Sequence, residues 1–225
     1  MSSHQRCDSC GAEHGALDPH TRCVRCGGLL AVVHPVPAWR GRELRRRFDE
    51  RVSTSASAAV ARSGVWRFRE LVMPDVTDGD VVTHPEGDTP LLARPAVARW
   101  AGIDELLLKH EGHNPTGSFK DRGMTVAVTQ ARRIGASAVA CASTGNTSSS
   151  LAAYAAQAGL PAIVLVPAGK VSLGKLDQTV AYGARTLLVR GDFDDCLRLA
   201  AEAVDRLGVY LVNSINPYRL EGQKT

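Results

Sequence analysis

The sequence predicts an α/β protein: an open parallel sheet with helices on both faces, preceded by a small zinc-ribbon-like module. Three observations carry this. From about residue 104 onward, short apolar runs alternate with longer helical segments, the pattern of βαβ units. The runs, such as "SAVACAS" and "PAIVLVP", are apolar almost throughout rather than alternating, as strands covered on both faces are. Ahead of them stand two Cys-x-x-Cys-Gly knuckles with 12 residues between the pairs.

The elements follow in order. Residues 1–34 carry the cysteine framework, residues 35–90 form a connecting arm rich in Pro, Arg and Ser with one or two short helices, and residues 91–225 form the α/β domain. In the arm, Leu44, Phe48 and Val52 recur every four residues within "WRGRELRRRFDERV", which predicts an amphipathic helix whose arginines form the wet face. This stretch holds much of the basic excess behind the formal charge of +4. A helix face is preferred to a nucleic-acid surface, because acidic and basic residues intermingle elsewhere. "DELLLKHE" reads as the first strand and residues 118–134 as a helix. "SAVACAS", "PAIVLVP", "ARTLLVRG" and "VYLVNS" read as further strands, with helices near 147–158, 172–182 and 193–207 between them. The chain then stops in "EGQKT", where no closing helix is expected, and reads as a truncated fragment of a longer polypeptide.

No run of 18 apolar residues occurs, and "MSSHQRCDSC" lacks the apolar core of a secretory signal, so a cytoplasmic protein without a membrane partner is expected. In that reducing compartment the six cysteines are thiols or metal ligands before they are disulfides. Cys141 and Cys196 stand alone in apolar periodic segments and are expected as small core residues. Cys7, Cys10, Cys23 and Cys26 can offer four thiolates to one tetrahedral zinc, each knuckle glycine letting the backbone turn tightly around the sulfurs. Four sulfurs leave no open position, so such a zinc is structural. A redox pair or a site that has lost its metal are the other readings.

Ligands of parallel sheets bind beyond the carboxyl ends of the strands. There the sequence places "GHNPTGSFKD", "STGNTSSS", "PAGKVSLGK" and "NSINPYRLEGQKT". The loop "ASTGNTSSS" would present hydroxyls, an amide and backbone N–H groups at a helix start, an anion site by construction, although Ser and Thr there also serve as ordinary caps. Lys120 sits where turn chemistry hands over to an alanine-rich helix. A cation in a first helical turn, beside an apolar wall such as Phe119, has a lowered pKa and attacks aldehydes more readily. Beside anion-binding loops, this suggests a Schiff base with pyridoxal 5'-phosphate.

"EGHNPTGSFKDRGM", "ACASTGNTSSSLAAYAA", "VPAGKVSLGKLDQ", "GDFDDCLRLA" and "NSINPYRLEGQKT" resemble, in order, successive motifs of the threonine synthase family, among the pyridoxal-phosphate enzymes of fold type II, the tryptophan synthase β type. The resemblance runs from about Trp39 to Thr225, leaving the zinc-ribbon-like prefix outside the family's catalytic core. It implies that Lys120 forms the Schiff base and that Asn146 hydrogen-bonds the cofactor's phenolic oxygen. Ser143, Thr144 and Thr147 would hold the substrate or its carboxylate. Lys175, Asn213, Ser214 and Arg219 match positions that surround the phosphate of O-phosphohomoserine, although helix surface and turn capping would also account for Lys175 and Asn213 taken singly. The implied reaction converts O-phospho-L-homoserine and water to L-threonine and phosphate. Two elements of the family, a glycine-rich cofactor-phosphate loop and a hydroxyl facing the pyridine nitrogen, would lie beyond Thr225, so the fragment alone is expected to be inactive. The alternatives are a cysteate synthase, a threonine dehydratase, or a zinc-ribbon binding or regulatory module with an inactive enzyme body. The expected partner is the small-molecule substrate, not nucleic acid; a homodimer is open to such an enzyme.

Overall fold

The computed structural model describes residues 2–54, 59–169 and 173–225. At the N-terminus β1 (His4–Cys7) lies between β2 (Glu13–Gly15) and β3 (Leu30–Val33), both antiparallel to it. Gly11 and Gly27, each directly after the second cysteine of a knuckle, adopt φ of 69° and 73°. This left-handed conformation, open to glycine at little cost, lets each knuckle close on itself.

The arm is more helical than expected. It contains α1 (Gly41–Thr54), α2 (Ala59–Arg62), a 3-10 turn over Trp66–Phe68 and α3 (Arg69–Val72). In α1 the predicted stripe holds: Phe48 is buried edge-on against Phe68, with ring centroids 4.9 Å apart, and Leu44 is half-buried. The side chain of Val52 lies outside the described set. The arginines face outward into ion pairs with Asp49 and Glu43, and Arg47 stacks on Trp39.

One predicted strand has a different partner. β4 (Leu91–Ala93) and β5 (Leu107–Lys109), joined through α4 (Pro95–Ala101), make a separate two-stranded antiparallel sheet. The "DELLLKHE" segment therefore does not open the parallel series. Its three consecutive leucines have no period that could say which edge they join.

The series begins with α5 (Lys120–Arg133) and continues through β6 (Ala138–Ala142), α6 (Asn146–Ala158), β7 (Ala162–Pro167), α7 (Leu173–Ala181), β8 (Arg185–Val189), α8 (Phe193–Leu207) and β9 (Val209–Leu211). These strands form one parallel sheet in the order β8-β7-β6-β9. Alternate strand residues serve opposite faces. Val139, Cys141, Val164 and Val166 pack with Met124, Ala127 and Leu151 of α5 and α6, whereas Ala142, Leu165 and Leu211 pack with Cys196 and Ala200 of α8. Cys141 and Cys196 are thus core residues, as expected. α8 starts on a full capping box between Asp192 and Asp195.

A helix also follows β9, where the sequence reading expected none. α9 (Pro217–Gln223) starts on the Asn216 side chain, which accepts from the Arg219 N–H at 3.0 Å, with Pro217 in its first turn. It packs on α5 at very close range: a Cβ on Gly123 would lie 2.8 Å from the Arg219 carbonyl oxygen, and one on Gly222 would collide with that of Arg122. Among the described residues, no helix is long and apolar enough to cross a membrane.

Candidate active site

The lysine loop is held from within by one carboxylate. Asp121, fully buried, accepts hydrogen bonds from Thr116 N (2.7 Å), Thr116 Oγ1 (2.6 Å) and Ser150 Oγ of α6 (2.6 Å). Behind the loop Arg122 grips Glu111 through Nε and Nη2 at 2.8 and 2.9 Å. This guanidinium, outweighing the effect of burial, holds the Glu111 carboxyl down to about 2. The loop is therefore a rigid shelf, and Lys120 starts α5 at its end.

Among the described residues the Lys120 amine makes neither a hydrogen bond nor an ion pair; Nζ lies 4.2 Å from the centroid of the Phe119 ring. Burial lowers its pKa, and the positive charge of Arg219 lowers it further. Arg219 is itself only 2% exposed. Its Nη1 donates to the Val212 carbonyl at 3.0 Å, its Nε has no partner, and no carboxylate pairs with it among the described residues. Lys175 reaches the same loop from α7, with Nζ 3.0 Å from the Thr116 carbonyl oxygen. Lys170 to Ser172, in the middle of the loop before α7, lie outside the described residues.

The other predicted residues divide. Asn213 is buried and pairs with the backbone of Ala142 at both ends of its amide, accepting from N at 3.0 Å and donating to O at 2.9 Å. It extends the β6–β9 pairing directly beneath Ser143. Ser143 Oγ accepts from Gly145 N, while Thr144, Asn146 and Thr147 stand at the start of α6 with side chains that make no hydrogen bond among the described residues. Ser214 is exposed, and the hollows it borders are walled by Arg22 and by Leu29 to Val32 of the N-terminal module rather than by the lysine loop.

The four knuckle sulfurs lie within 4.8 Å of one another, with Cys7 to Cys26 at 3.5 Å and Cys10 to Cys23 at 3.7 Å. Zinc–sulfur bonds of about 2.3 Å place the corners of a tetrahedron about 3.8 Å apart, so the cluster fits such an ion. His14 leans on it, Nε2 3.4 Å from Cys23 Sγ and Nδ1 3.3 Å from Asp18. Burial raises the Cys23 thiol, but its hydrogen bonds with His14 and with the Arg25 and Cys26 backbone outweigh that and hold it down to about 6.

With this geometry in hand, the comparisons with known proteins are specific. The family described as pyridoxal-phosphate dependent enzyme matches residues 82–225. The chain belongs to this family. Among its relatives, threonine synthase of Methanosarcina acetivorans is 46% identical over 99% of the chain, and that of Methanocaldococcus jannaschii 45% identical over 98%. The chain spans about half the length of these relatives, 51% and 52%. In structure it is similar to Escherichia coli diaminopropionate ammonia lyase (TM-score 0.56, 22% identity, 63% of this chain and 46% of that one) and to maize serine racemase (TM-score 0.56, 20% identity, 68% and 44%). At those identities the likeness is one of fold.

Family membership makes pyridoxal phosphate the cofactor to fit, and the residues suit it: a free, partly desolvated amine for its aldehyde and a helix start with unengaged hydroxyls nearby. Sequence reasoning passed over the residues that hold this arrangement, namely Thr116, Asp121, Ser150 and the Glu111–Arg122 pair. Asp121 was in plain view beside Lys120. An acidic residue in a first turn usually answers the helix dipole, and only its burial shows that it bonds inward instead.

Proposed function

We propose that this chain is the N-terminal part of a threonine synthase, which converts O-phospho-L-homoserine and water to L-threonine and phosphate. One observation carries the reading: a buried guanidinium, Arg219, has no carboxylate partner among the described residues and stands close enough to Lys120 to depress its pKa. A buried unpaired charge costs several kcal/mol, roughly what an anionic ligand such as a phosphate ester would offset. The identity to relatives named threonine synthase supports the same reading.

Lys120 attaches the cofactor, Asn146 bonds its phenolic oxygen, and Ser143, Thr144 and Thr147 receive the substrate carboxylate at the start of α6. Arg219 and Lys175 bind the phosphate, and Asn213 contributes the one amide hydrogen not engaged by Ala142. When bound, pyridoxal phosphate supplies an electron sink for charge developed on the substrate carbons. The lowered pKa of Lys120 suits its Nζ to take a proton from Cα and then from Cβ. Arg219 and Lys175 steady the phosphate as it leaves Cγ; a proton then returns to Cγ to make the methyl group, water adds at Cβ, and a proton returns to Cα. Cys7, Cys10, Cys23 and Cys26 hold one structural zinc, and the setting is cytoplasmic.

The test is turnover by a full-length enzyme containing this chain, followed by phosphate release and threonine formation. Arg219→Ala is expected to slow O-phosphohomoserine turnover by a factor of about thirty, the worth of one charge-assisted bond, and serine turnover much less. Equal losses on both substrates would remove the basis for phosphate recognition. For the metal, elemental analysis should find about one zinc per chain, lost in Cys23→Ser; zinc-free protein that was never exposed to chelator would refute the site.

A further inference from the structure

None of the residues assigned above to cofactor or substrate belongs to the cysteine module, yet it is tied to the helix that carries Arg219 by bonds on either side of that residue. On one side the Tyr218 hydroxyl donates to the Ala16 carbonyl at 2.6 Å, and Gln130 Nε2 of α5 donates to the same oxygen at 2.7 Å. On the other side His34 Nε2 lies 3.0 Å from Glu221 Oε2. His34 is anchored in turn: Ser3 Oγ donates to Asp75 at 2.6 Å and so accepts from His34 Nδ1 at 3.0 Å. Between the two ties Val32 of β3 packs in one cluster with Tyr218, Trp66 and Val126. Buried polar ties are costly to leave unmade, so together they fix the position of α9 far more tightly than seven residues of helix could by themselves.

The Ala16 anchor rests on the metal cluster. Fully buried Gln5 donates to the carbonyl oxygens of Gly15 and Asp18 at 3.3 and 2.9 Å, and His14 joins the same loop to Cys23. At its other face α9 has no slack, since Gly123 and Gly222 bring it against the backbone of α5. A shift of α9 therefore moves Arg219 relative to the Lys120 helix.

We infer that the N-terminal module is a positioning clamp for Arg219: the Ala16 carbonyl and His34 hold α9 so that the guanidinium stays buried, and metal in the cysteine cluster sets how firmly it is held. His34 and Tyr218 are then positioning residues that touch neither substrate nor cofactor. The consequence for catalysis rests on the reading of Arg219 as a phosphate ligand; the clamp itself does not.

Labelling with phenylglyoxal, an arginine reagent, followed by peptide mapping of the intact protein, tests it. Arg51 of α1 serves as internal reference, because it is held by Glu70 and the Arg67 carbonyl rather than by α9. His34→Ala and Tyr218→Phe should each speed labelling of Arg219 by about tenfold, the population change expected for one lost buried bond, with Arg51 unchanged. His34→Gln, which can still bond Glu221, should restore most of the protection, and chelation of the metal should reproduce the His34→Ala pattern. Arg219 labelling within about twofold of wild type in both variants, or Arg51 rising in step with Arg219, would overturn the clamp. In a full-length enzyme, His34→Ala should lower kcat/KM for O-phosphohomoserine several-fold more than for serine. Labelling as expected with equal losses on the two substrates would leave the clamp standing and reject the phosphate role of Arg219.

Discussion

Replacing Arg219 by Met should stabilise the unliganded protein while abolishing its response to phosphate. The guanidinium is 2% exposed, with one hydrogen bond to the Val212 carbonyl at 3.0 Å and, among the described residues, an unpartnered Nε and no carboxylate partner. Burying an ion costs several kcal/mol after relaxation, and a single charged hydrogen bond returns about 1.5–3 kcal/mol. Methionine keeps most of the apolar stem and removes the charge, at the expense of leaving the Val212 oxygen without its donor. The balance is a gain of about 1–2 kcal/mol, which at roughly 2–4 °C per kcal/mol for a chain of this length raises the unfolding midpoint by several degrees. Inorganic phosphate at a hundred times its Kd should then stabilise wild type by about 2.7 kcal/mol and leave the variant unmoved. Thermal unfolding of the 225-residue chain with and without phosphate reads both effects. A midpoint that falls by more than about 3 °C in Arg219→Met, with the phosphate response intact, would show that the arginine is a structural prop and that the desolvation reasoning is wrong.

Asp121→Asn should destabilise by about 2–4 kcal/mol, because an amide N–H would be turned toward the Thr116 N–H or the two hydroxyls that now donate to the carboxylate; an unchanged urea midpoint would contradict the shelf. The Glu111–Arg122 pair should give a stability term that falls with acid. Glu111 titrates at 4.5 unperturbed and is held down to about 2 in the fold, so its contribution is complete above pH 4.5 and is lost as pH falls from there toward about 2. The gap between wild type and Glu111→Gln in urea should therefore be wider at pH 5 than at pH 3, and a gap that widened in acid would refute the pairing. Gly222→Ala should cost more than about 3 kcal/mol, since its Cβ meets the Arg122 backbone oxygen, which belongs to a helix and cannot swing aside. Circular dichroism melts would test this, and a midpoint near wild type would mean that α9 has slack.

Features that depend on near neighbours are legible in the order of the residues. Two knuckles of fixed spacing bring four sulfurs together, because the two residues between cysteines and the following glycine already dictate the turn. Apolar runs between helices specify a sheet buried on both faces, and Lys120 is marked by the glycine turn before it and the helix after it. The start of α9 was written there too, in Asn216 and Pro217, but seven residues are too few for a period to appear. Contacts between distant segments emerge only on folding. Tyr218 meets Ala16 across 202 positions and His34 meets Glu221 across 187. Such contacts leave no spacing to read, because each residue taken alone looks like an ordinary turn or helix residue. The same holds for β5, whose leucines suit any strand edge, and for Asn213, whose amide found a strand to pair with. Asp121 and Arg219 show the physical reason most plainly. A charged side chain is assumed to be wet until packing removes the water, and burial, which makes one a structural anchor and the other a candidate anion ligand, is a property of the whole fold.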